Sequence, residues 1–92
     1  INGNNVFQEC TSLQVVDLGT GITSIGFDIF LVCTSLASII CRAYNPPTLA
    51  TNAFNGIPET TKFYVPHERV NAYKAADGWN AFASRIYSIN DL

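Results

Sequence analysis

The chain is poor in charge, which restricts the partners it is suited to bind. Of its 92 residues only 13% are charged, five Lys and Arg against seven Asp and Glu, and the formal net charge is −2. An average globular domain has about twice that charged share. Because 48% of the residues are hydrophobic, a disordered tail is excluded. No basic patch occurs, so nucleic acid is a poor candidate partner.

Long apolar runs and targeting signals are also missing. The apolar run Ile29–Val32 is far too short to span a bilayer, and no basic segment followed by an apolar stretch opens the chain. The length allows at most one small domain. Residues 1–5 read as the end of a repeat whose start is missing, so we expect the chain to be the C-terminal piece of a longer protein.

Residues that support catalysis or metal binding are scarce. The chain has three Cys and one His, with no Cys-x-x-Cys, so the spacing of a metal site is missing. His67 is the one candidate general base, but it follows Pro66 at a predicted helix start, where we expect a capping or solvent-facing role. Asp17 and Asp28 fall on opposite sides of a repeat and do not form a catalytic pair. We therefore predict no enzyme activity, catalytic residue, metal or cofactor.

What the chain does contain is a repeat. The phrase Phe-x-x-Cys-Thr-Ser-Leu occurs at Phe7–Leu13 and again at Phe30–Leu36. Aligning the chain with itself extends the repeat to a third unit, with a step of 23 residues followed by one of 24. A period in the twenties is typical of stacked strand-loop units.

Equivalent positions of the repeat form columns that are apolar with few exceptions. The columns are Phe7, Phe30 and Phe54; Cys10, Cys33 and Ile57; Leu13, Leu36 and Thr60; Val16, Ile39 and Phe63; Leu18, Cys41 and Val65; Ile22, Pro46 and Val70; and Ile25, Leu49 and Tyr73. Such columns are expected to stack about 4.8 Å apart in neighbouring strands and to share one interior.

Alternation along each predicted strand separates an inner from an outer face. The pairs Val16 and Leu18, Ile39 and Cys41, and Phe63 and Val65 are predicted to face inward. The outward, concave side is predicted to carry Val15, Asp17, Ser38, Ile40, Arg42, Lys62 and Tyr64. An exposed Ile40–Tyr64 pair flanked by Asp17, Arg42 and Lys62 is the candidate contact patch, and the alternative is an ordinary sheet face.

The segments between and after the repeats have different patterns. Ser24–Ile29 and Thr51–Phe54 are predicted to form single turns or 3₁₀ pieces. After a strand at Lys62–Val65, a helix is predicted over 67–76, a further helical turn over 79–85 and a terminal strand over 86–89. Such a terminal unit would cover the last layer of the stack. Trp79 either closes the end of the core, which we favour, or stacks against a sugar.

The cysteines have two readings. Cys10 and Cys33 share a column, so adjacent strands could bring them within disulfide range. Because Ile57 fills the same column and Cys41 shares a column with Leu18 and Val65, we favour buried, reduced thiols that act as small hydrophobic groups.

The repeat resembles the BspA-like leucine-rich repeats, whose units follow a pattern similar to Ala-Phe-x-x-Cys-x-Ser-Leu-x-x-Ile-x-Ile-Pro. The matching residues are Phe7, Cys10, Ser12, Leu13, Val16 and Leu18, and Phe30, Cys33, Ser35, Leu36 and Ile39. The segments 46–49, 63–66, 70–74 and 78–79 also resemble the family's C-terminal cap. Val6 and Ile29 depart from the pattern, because the family usually has Ala there.

Repeat and resemblance together predict an α/β fold, a right-handed parallel β-solenoid of the leucine-rich-repeat type with about two to three turns and a C-terminal helical cap. Residues 1–61 would be the repeats and 62–92 the cap. Members of the family are commonly secreted or cell-surface proteins associated with adhesion, so the resemblance implies an extracellular location and a protein partner, with no membrane insertion.

Three further expectations accompany this interpretation. The segment could instead be a purely structural cap, with recognition carried by upstream repeats, or a carbohydrate-handling accessory module. We also expect self-association through the open strand edge at Leu13–Leu18 or the residues around Phe7.

Overall fold

The structure, a computed structural model, describes residues 11–27, 29–30 and 33–92. The strands in these residues are β1 (Val15–Asp17), β2 (Ser24–Ile25), β3 (Ser38–Ile40), β4 (Thr48–Leu49), β5 (Lys62–Val65) and β6 (Ile86–Ser88). Helix α1 spans Val70–Ala75, and 3₁₀ segments span His67–Arg69, Trp79–Arg85 and Ile89–Asp91. The expectations for Phe7 and Cys10, including a Cys10–Cys33 disulfide, lie outside the described residues.

The strands form two parallel sheets. The larger has the order β1-β3-β5-β6, and β2 pairs with β4 in the smaller. Neighbouring strands are in the register that the repeat predicts, with Val16 opposite Ile39 and Ile39 opposite Phe63. Ile86 continues this row as a fourth member opposite Phe63. The 23- and 24-residue steps therefore correspond to one move from strand to strand within a sheet.

The interior is built from the predicted inward columns. Ile39, Cys41, Phe63 and Val65 are almost completely buried, and Val16 is buried at the edge of the sheet. Both sheets contribute to one hydrophobic cluster, since Ile25 of β2 belongs to it with Leu49 packed alongside. In the anchor column the rings of Phe30 and Phe54 stack with centroids 6.0 Å apart. The periodic apolar residues thus form a single core.

Two local predictions are wrong. The Leu13 and Leu36 column continues through Thr61 and not Thr60, because the turn closed by the Thr61 N–H on Pro58 brings Thr61 inside. Its hydroxyl then donates a 2.7 Å hydrogen bond to the Leu36 carbonyl, which a buried polar group requires. Ser24–Ile25 is a strand and not a turn, because it pairs in parallel with Thr48–Leu49.

The last third of the chain covers the end of the core. The strand β5 ends before Pro66, and the predicted helix divides into the His67–Arg69 turn and α1. The predicted terminal strand is confirmed at β6, which pairs in parallel with β5. In the described ranges, none of the helices has the length and hydrophobicity that a membrane crossing requires.

Trp79 closes the core. Its side chain is fully buried and packs edge-on against Phe54, Phe63 and Tyr73. The indole N–H is satisfied by the Pro47 carbonyl at 2.9 Å. The predicted role of Trp79 at the end of the core is therefore confirmed, and its ring has no exposed face on which a sugar could stack.

Candidate functional site

The candidate site is the outward surface of the larger sheet, which we call the outer sheet face. Because side chains alternate along a strand, burying Val16, Ile39, Phe63 and Ile86 directs their neighbours to this surface. The outer sheet face comprises Val15, Asp17, Ser38, Ile40, Arg42, Lys62, Tyr64 and Tyr87. All of these except Tyr87 are predicted from the sequence to face outward.

One side of the face carries an ion pair. The Nε of Arg42 donates to Oδ2 of Asp17 at 2.9 Å, and both side chains are about two-fifths exposed. The backbone N–H of Gly19 donates to the other carboxylate oxygen at 3.0 Å. The Arg42 hydrogen bond, followed by that of Gly19, lowers the pKa of the Asp17 carboxyl. The carboxylate is thus held on both oxygens and neutralises the neighbouring guanidinium.

The centre of the face differs from the prediction. Ile40 is only 7% exposed, so the expectation of an exposed Ile40–Tyr64 pair is wrong. The register places Ile40 between Asp17 on β1 and Tyr64 on β5. These polar side chains flank the isoleucine on both sides and leave little of it accessible. Ile40 is therefore a support for the face and has little surface available for contact.

The other side of the face is aromatic and basic. Tyr64 and Tyr87 are opposite each other on β5 and β6, with ring centroids 6.0 Å apart and planes tilted by 35°. The Lys62 Nζ lies 5.5 Å from the centroid of the Tyr87 ring, a distance at which an ammonium is attracted to an aromatic face. Tyr64 is half-buried, whereas Lys62 and Tyr87 are exposed. We call these three residues the tyrosine–lysine patch.

Tyr87 was not assigned to the face from the sequence, although a signal for it exists. It stands between the buried Ile86 and Ser88, and it continues the row of Ile40 and Tyr64 at the repeat spacing. The helical segments between β5 and β6 interrupt the motif that marks the earlier repeats, so the predicted terminal strand is not identified from the sequence as the next member of the row.

A shallow groove adjoins the patch. It has a volume of about 420 Å³ and is lined by residues that include Ser38, Pro58, Thr60, Lys62 and Tyr64. The lining residues belong to the segment leading into β3, the turn before β5 and β5 itself. The groove lengthens the accessible surface from the tyrosines toward Ser38, so a ligand larger than one side chain would have room to lie across it.

The buried polar groups belong to the core. The Tyr73 hydroxyl donates to the Ala43 carbonyl at 2.6 Å and lies 3.3 Å from the Cys41 Sγ. Burial raises the pKa of the Cys41 thiol, and burial also raises the pKa of the Tyr73 hydroxyl. A cysteine nucleophile requires a lowered pKa and access to solvent. Cys41 has neither, so its environment is that of a structural thiol.

His67 and Arg85 connect segments of the last third of the chain to the larger sheet and to the turn before β5. The Nδ1 of His67 lies 2.9 Å from the Ser88 hydroxyl, which also accepts the Asn90 N–H. Arg85 donates to the carbonyls of Thr61 and Pro58 at 2.9 and 2.8 Å. Both contacts cross between elements that are distant in sequence. His67 is exposed, which agrees with the predicted solvent-facing role, but its side chain does not cap the helix start. No pattern in the sequence marks Arg85.

In the part of the chain that the structure describes, no group of three or more His, Cys, Asp or Glu side chains is close enough to hold a metal ion. The charged, hydroxyl and aromatic groups of the outer sheet face are suited to hydrogen bonds, ion pairs and stacking, which are the interactions of a binding surface.

A family model described as a BspA type leucine rich repeat region (6 copies) matches residues 2–89, nearly the whole chain. No curated protein matches the sequence.

Proposed function

The chain belongs to the BspA-type leucine-rich repeat family, and from this we propose that it is part of a non-catalytic binding protein that is displayed on a bacterial surface or secreted. In this proposal the outer sheet face contacts a partner protein and contributes to adhesion. The parallel sheets are turns of a right-handed solenoid, with residues 1–61 as repeats and residues 62–92 as their cap.

The observation that carries the proposal is the exposed tyrosine–lysine patch on a sheet of in-register strands. Tyrosine is favoured at interfaces, because a large ring with few rotatable bonds gives contact area at a small entropic cost. Here β5 and β6 fix the spacing of the two rings. Binding through Tyr64 and Tyr87 would therefore require little further ordering of the surface.

The test uses the full-length protein with Tyr64→Ala and Tyr87→Ala combined, and an immobilised extract of extracellular-matrix proteins as the probe. We expect at least about a fivefold loss of binding, since interface anchors commonly cost more than 1 kcal/mol when truncated. The matched control is Tyr44→Ala, which removes a tyrosine that is 64% exposed elsewhere on the surface. Thermal melting of each variant separates lost binding from lost folding.

The buried aromatic cluster supports a second candidate function, which is to stabilise the end of the repeats. Phe54, Phe63 and Trp79 pack with centroids 4.9 to 5.8 Å apart. In that case recognition belongs to other parts of the protein, and the double tyrosine variant binds the matrix extract as well as the parent does. Equal binding by the double variant and the parent would reject our first proposal in favour of this one.

A further inference from the structure

The positively charged side chains of this chain differ in whether an anion or hydrogen-bond acceptors compensate their charge. Arg42 is paired with Asp17 in the only ion pair found among the described residues. Arg69 donates a hydrogen bond to the Tyr44 carbonyl, and its guanidinium lies over the Tyr44 ring, 4.2 Å from the ring centroid. The guanidinium of Arg85 is occupied by two backbone carbonyls.

Lys62 is different because, among the described residues, its ammonium lies near an aromatic ring and forms no ion pair. The cation–π contact with Tyr87 orients the ammonium without neutralising it. The side chain is exposed, lies beside two tyrosines and lines the groove. An anionic group that approached Tyr87 would find a positioned cation there. The charge of the patch therefore complements an acidic ligand.

The spacing of the tyrosines indicates the shape of that ligand. In an extended peptide, side chains two residues apart lie on the same side and are separated by about 6.6 Å. The Tyr64 and Tyr87 centroids are 6.0 Å apart. Two alternate side chains of an extended segment can therefore cover both rings at once. A carboxylate two residues beyond the one over Tyr87 lies on the same side of the segment and can reach Lys62.

We propose that the tyrosine–lysine patch binds an extended, acidic peptide segment of a partner protein. Apolar or prolyl side chains two residues apart pack on Tyr64 and Tyr87, and an Asp or Glu two residues further along, on the same side of the peptide, pairs with the Lys62 ammonium. This inference rests on the proposed binding function and specifies the chemistry of the partner that the face selects.

The probe is an array of synthetic hexapeptides in which one position is Glu, Gln or Lys and alternate positions are Leu, Pro or Ala. The full-length protein is expected to bind Glu peptides about two- to fivefold better than Gln peptides, the range for an exposed ion pair. It should also prefer Leu and Pro to Ala. Lys62→Gln should remove the preference for Glu and keep the preference for Leu and Pro.

Two variants make the test specific. Lys74→Gln removes one positive charge from an exposed position on α1 and should leave the Glu preference unchanged. Tyr87→Phe retains the ring and should bind nearly as well as the parent, whereas Tyr87→Ala should lose the preference for Leu and Pro.

The proposal is overturned if no hexapeptide binds above background, or if the Glu preference persists in Lys62→Gln. It is also overturned if Lys62-dependent binding is found for sulfated glycans on a glycan array and not for peptides. Retained binding to the matrix extract that depends on Tyr64 and Tyr87 would show, in any of these cases, that the broader function stands while the acidic-peptide specificity fails.

Discussion

The indole N–H of Trp79 donates a hydrogen bond to the carbonyl oxygen of Pro47, and this bond joins the end of the chain to the connection between β3 and β4. The same indole is fully buried against the rings of Phe54 in the third repeat unit, Phe63 of β5 and Tyr73 of α1. Because one side chain contacts both segments, residues 47–54 and residues 63–79 should unfold together.

Truncating Trp79 tests this coupling. Trp79→Ala should reduce the free energy of unfolding by about 3–5 kcal/mol, since it empties a large site in the core. For a domain of this size that corresponds to a fall in melting temperature of more than about 10 °C. Trp79→Phe, which keeps a ring but leaves the Pro47 carbonyl without its donor, should cost less. A cap that melted separately, as a second transition in calorimetry, would contradict the coupling.

Alkaline pH should destabilise the fold through Cys41 and Tyr73. Both groups have a raised pKa in the folded chain, so the unfolded chain releases these protons first. Stability is therefore complete below the ordinary pKa values of about 8.5 and 10 and falls as the pH rises above them. The slope should reach at most about 1.4 kcal/mol per pH unit for each group. Urea unfolding between pH 8 and pH 11 measures it.

Variants of Cys41 and Tyr73 show which residue causes each part of the pH dependence of stability. Cys41→Ala should remove the part that begins near the cysteine pKa, and Tyr73→Phe the part at higher pH. Tyr73→Phe should also lower stability at pH 7 by about 1–3 kcal/mol, because the Ala43 carbonyl loses its donor. Tyr44→Phe, at an exposed position, is the control. If the slope is the same in all these variants, the burial of Cys41 and Tyr73 does not cause it.

The sequence predicts the core of the sheet well because stacking imposes one rule on every strand. Val16, Ile39 and Phe63 recur at the repeat spacing, and the same spacing sets the register of β1, β3 and β5. A displacement by one residue would exchange the inner and outer faces. The apolar column therefore determines both the pairing and the orientation of the strands.

Positions whose burial depends on residues in neighbouring strands or turns are harder to predict from the sequence. Alternation correctly directs Ile40 outward, but its exposure depends on the sizes of Asp17 and Tyr64 on the adjacent strands. Thr61 replaces Thr60 in the core because of a turn at Pro58. In both cases the deciding contact is between residues far apart in sequence or within an irregular turn, where periodicity gives no information.

The Asp17–Arg42 pair should contribute little to stability. Both side chains are substantially exposed, and exposed ion pairs are typically worth about 0–1 kcal/mol. The lowered pKa of Asp17 means that this contribution is present above the ordinary aspartate pKa and is lost as the pH falls below it. A double-mutant cycle with Asp17→Asn and Arg42→Gln at pH 7 measures the coupling, which should vanish at pH 2. A coupling free energy above about 2 kcal/mol would contradict the small contribution expected of an exposed ion pair.

Alanine substitutions at three glycines allow the cost of backbone strain and the cost of steric contact to be measured separately. Gly78 has a φ of +81°, and a Cβ placed there would lie 3.1 Å from the Leu49 Cδ1. Gly19 has a φ of +77° with open space around it, and Gly21 has open space and no positive φ. Gly78→Ala should therefore destabilise most, because it combines the strain of a left-handed residue, about 1–2 kcal/mol, with the displacement of Leu49.

Gly19→Ala should show the strain alone, and Gly21→Ala should change stability by less than about 0.5 kcal/mol, as expected for an open surface position. Because Leu49 packs against the core beside the Trp79 segment, the excess cost of Gly78→Ala over Gly19→Ala measures how tightly the cap is held against β4. Compared with Leu49→Ala alone, adding Gly78→Ala in the Leu49→Ala background should show a smaller part of that excess. Leu49→Ala removes the Cγ and Cδ1 contacts but keeps the Leu49 Cβ, which would lie 3.2 Å from the new Cβ. Equal costs at Gly78 and Gly19 would indicate that the cap can move away from β4 without loss, contrary to the close packing of this region.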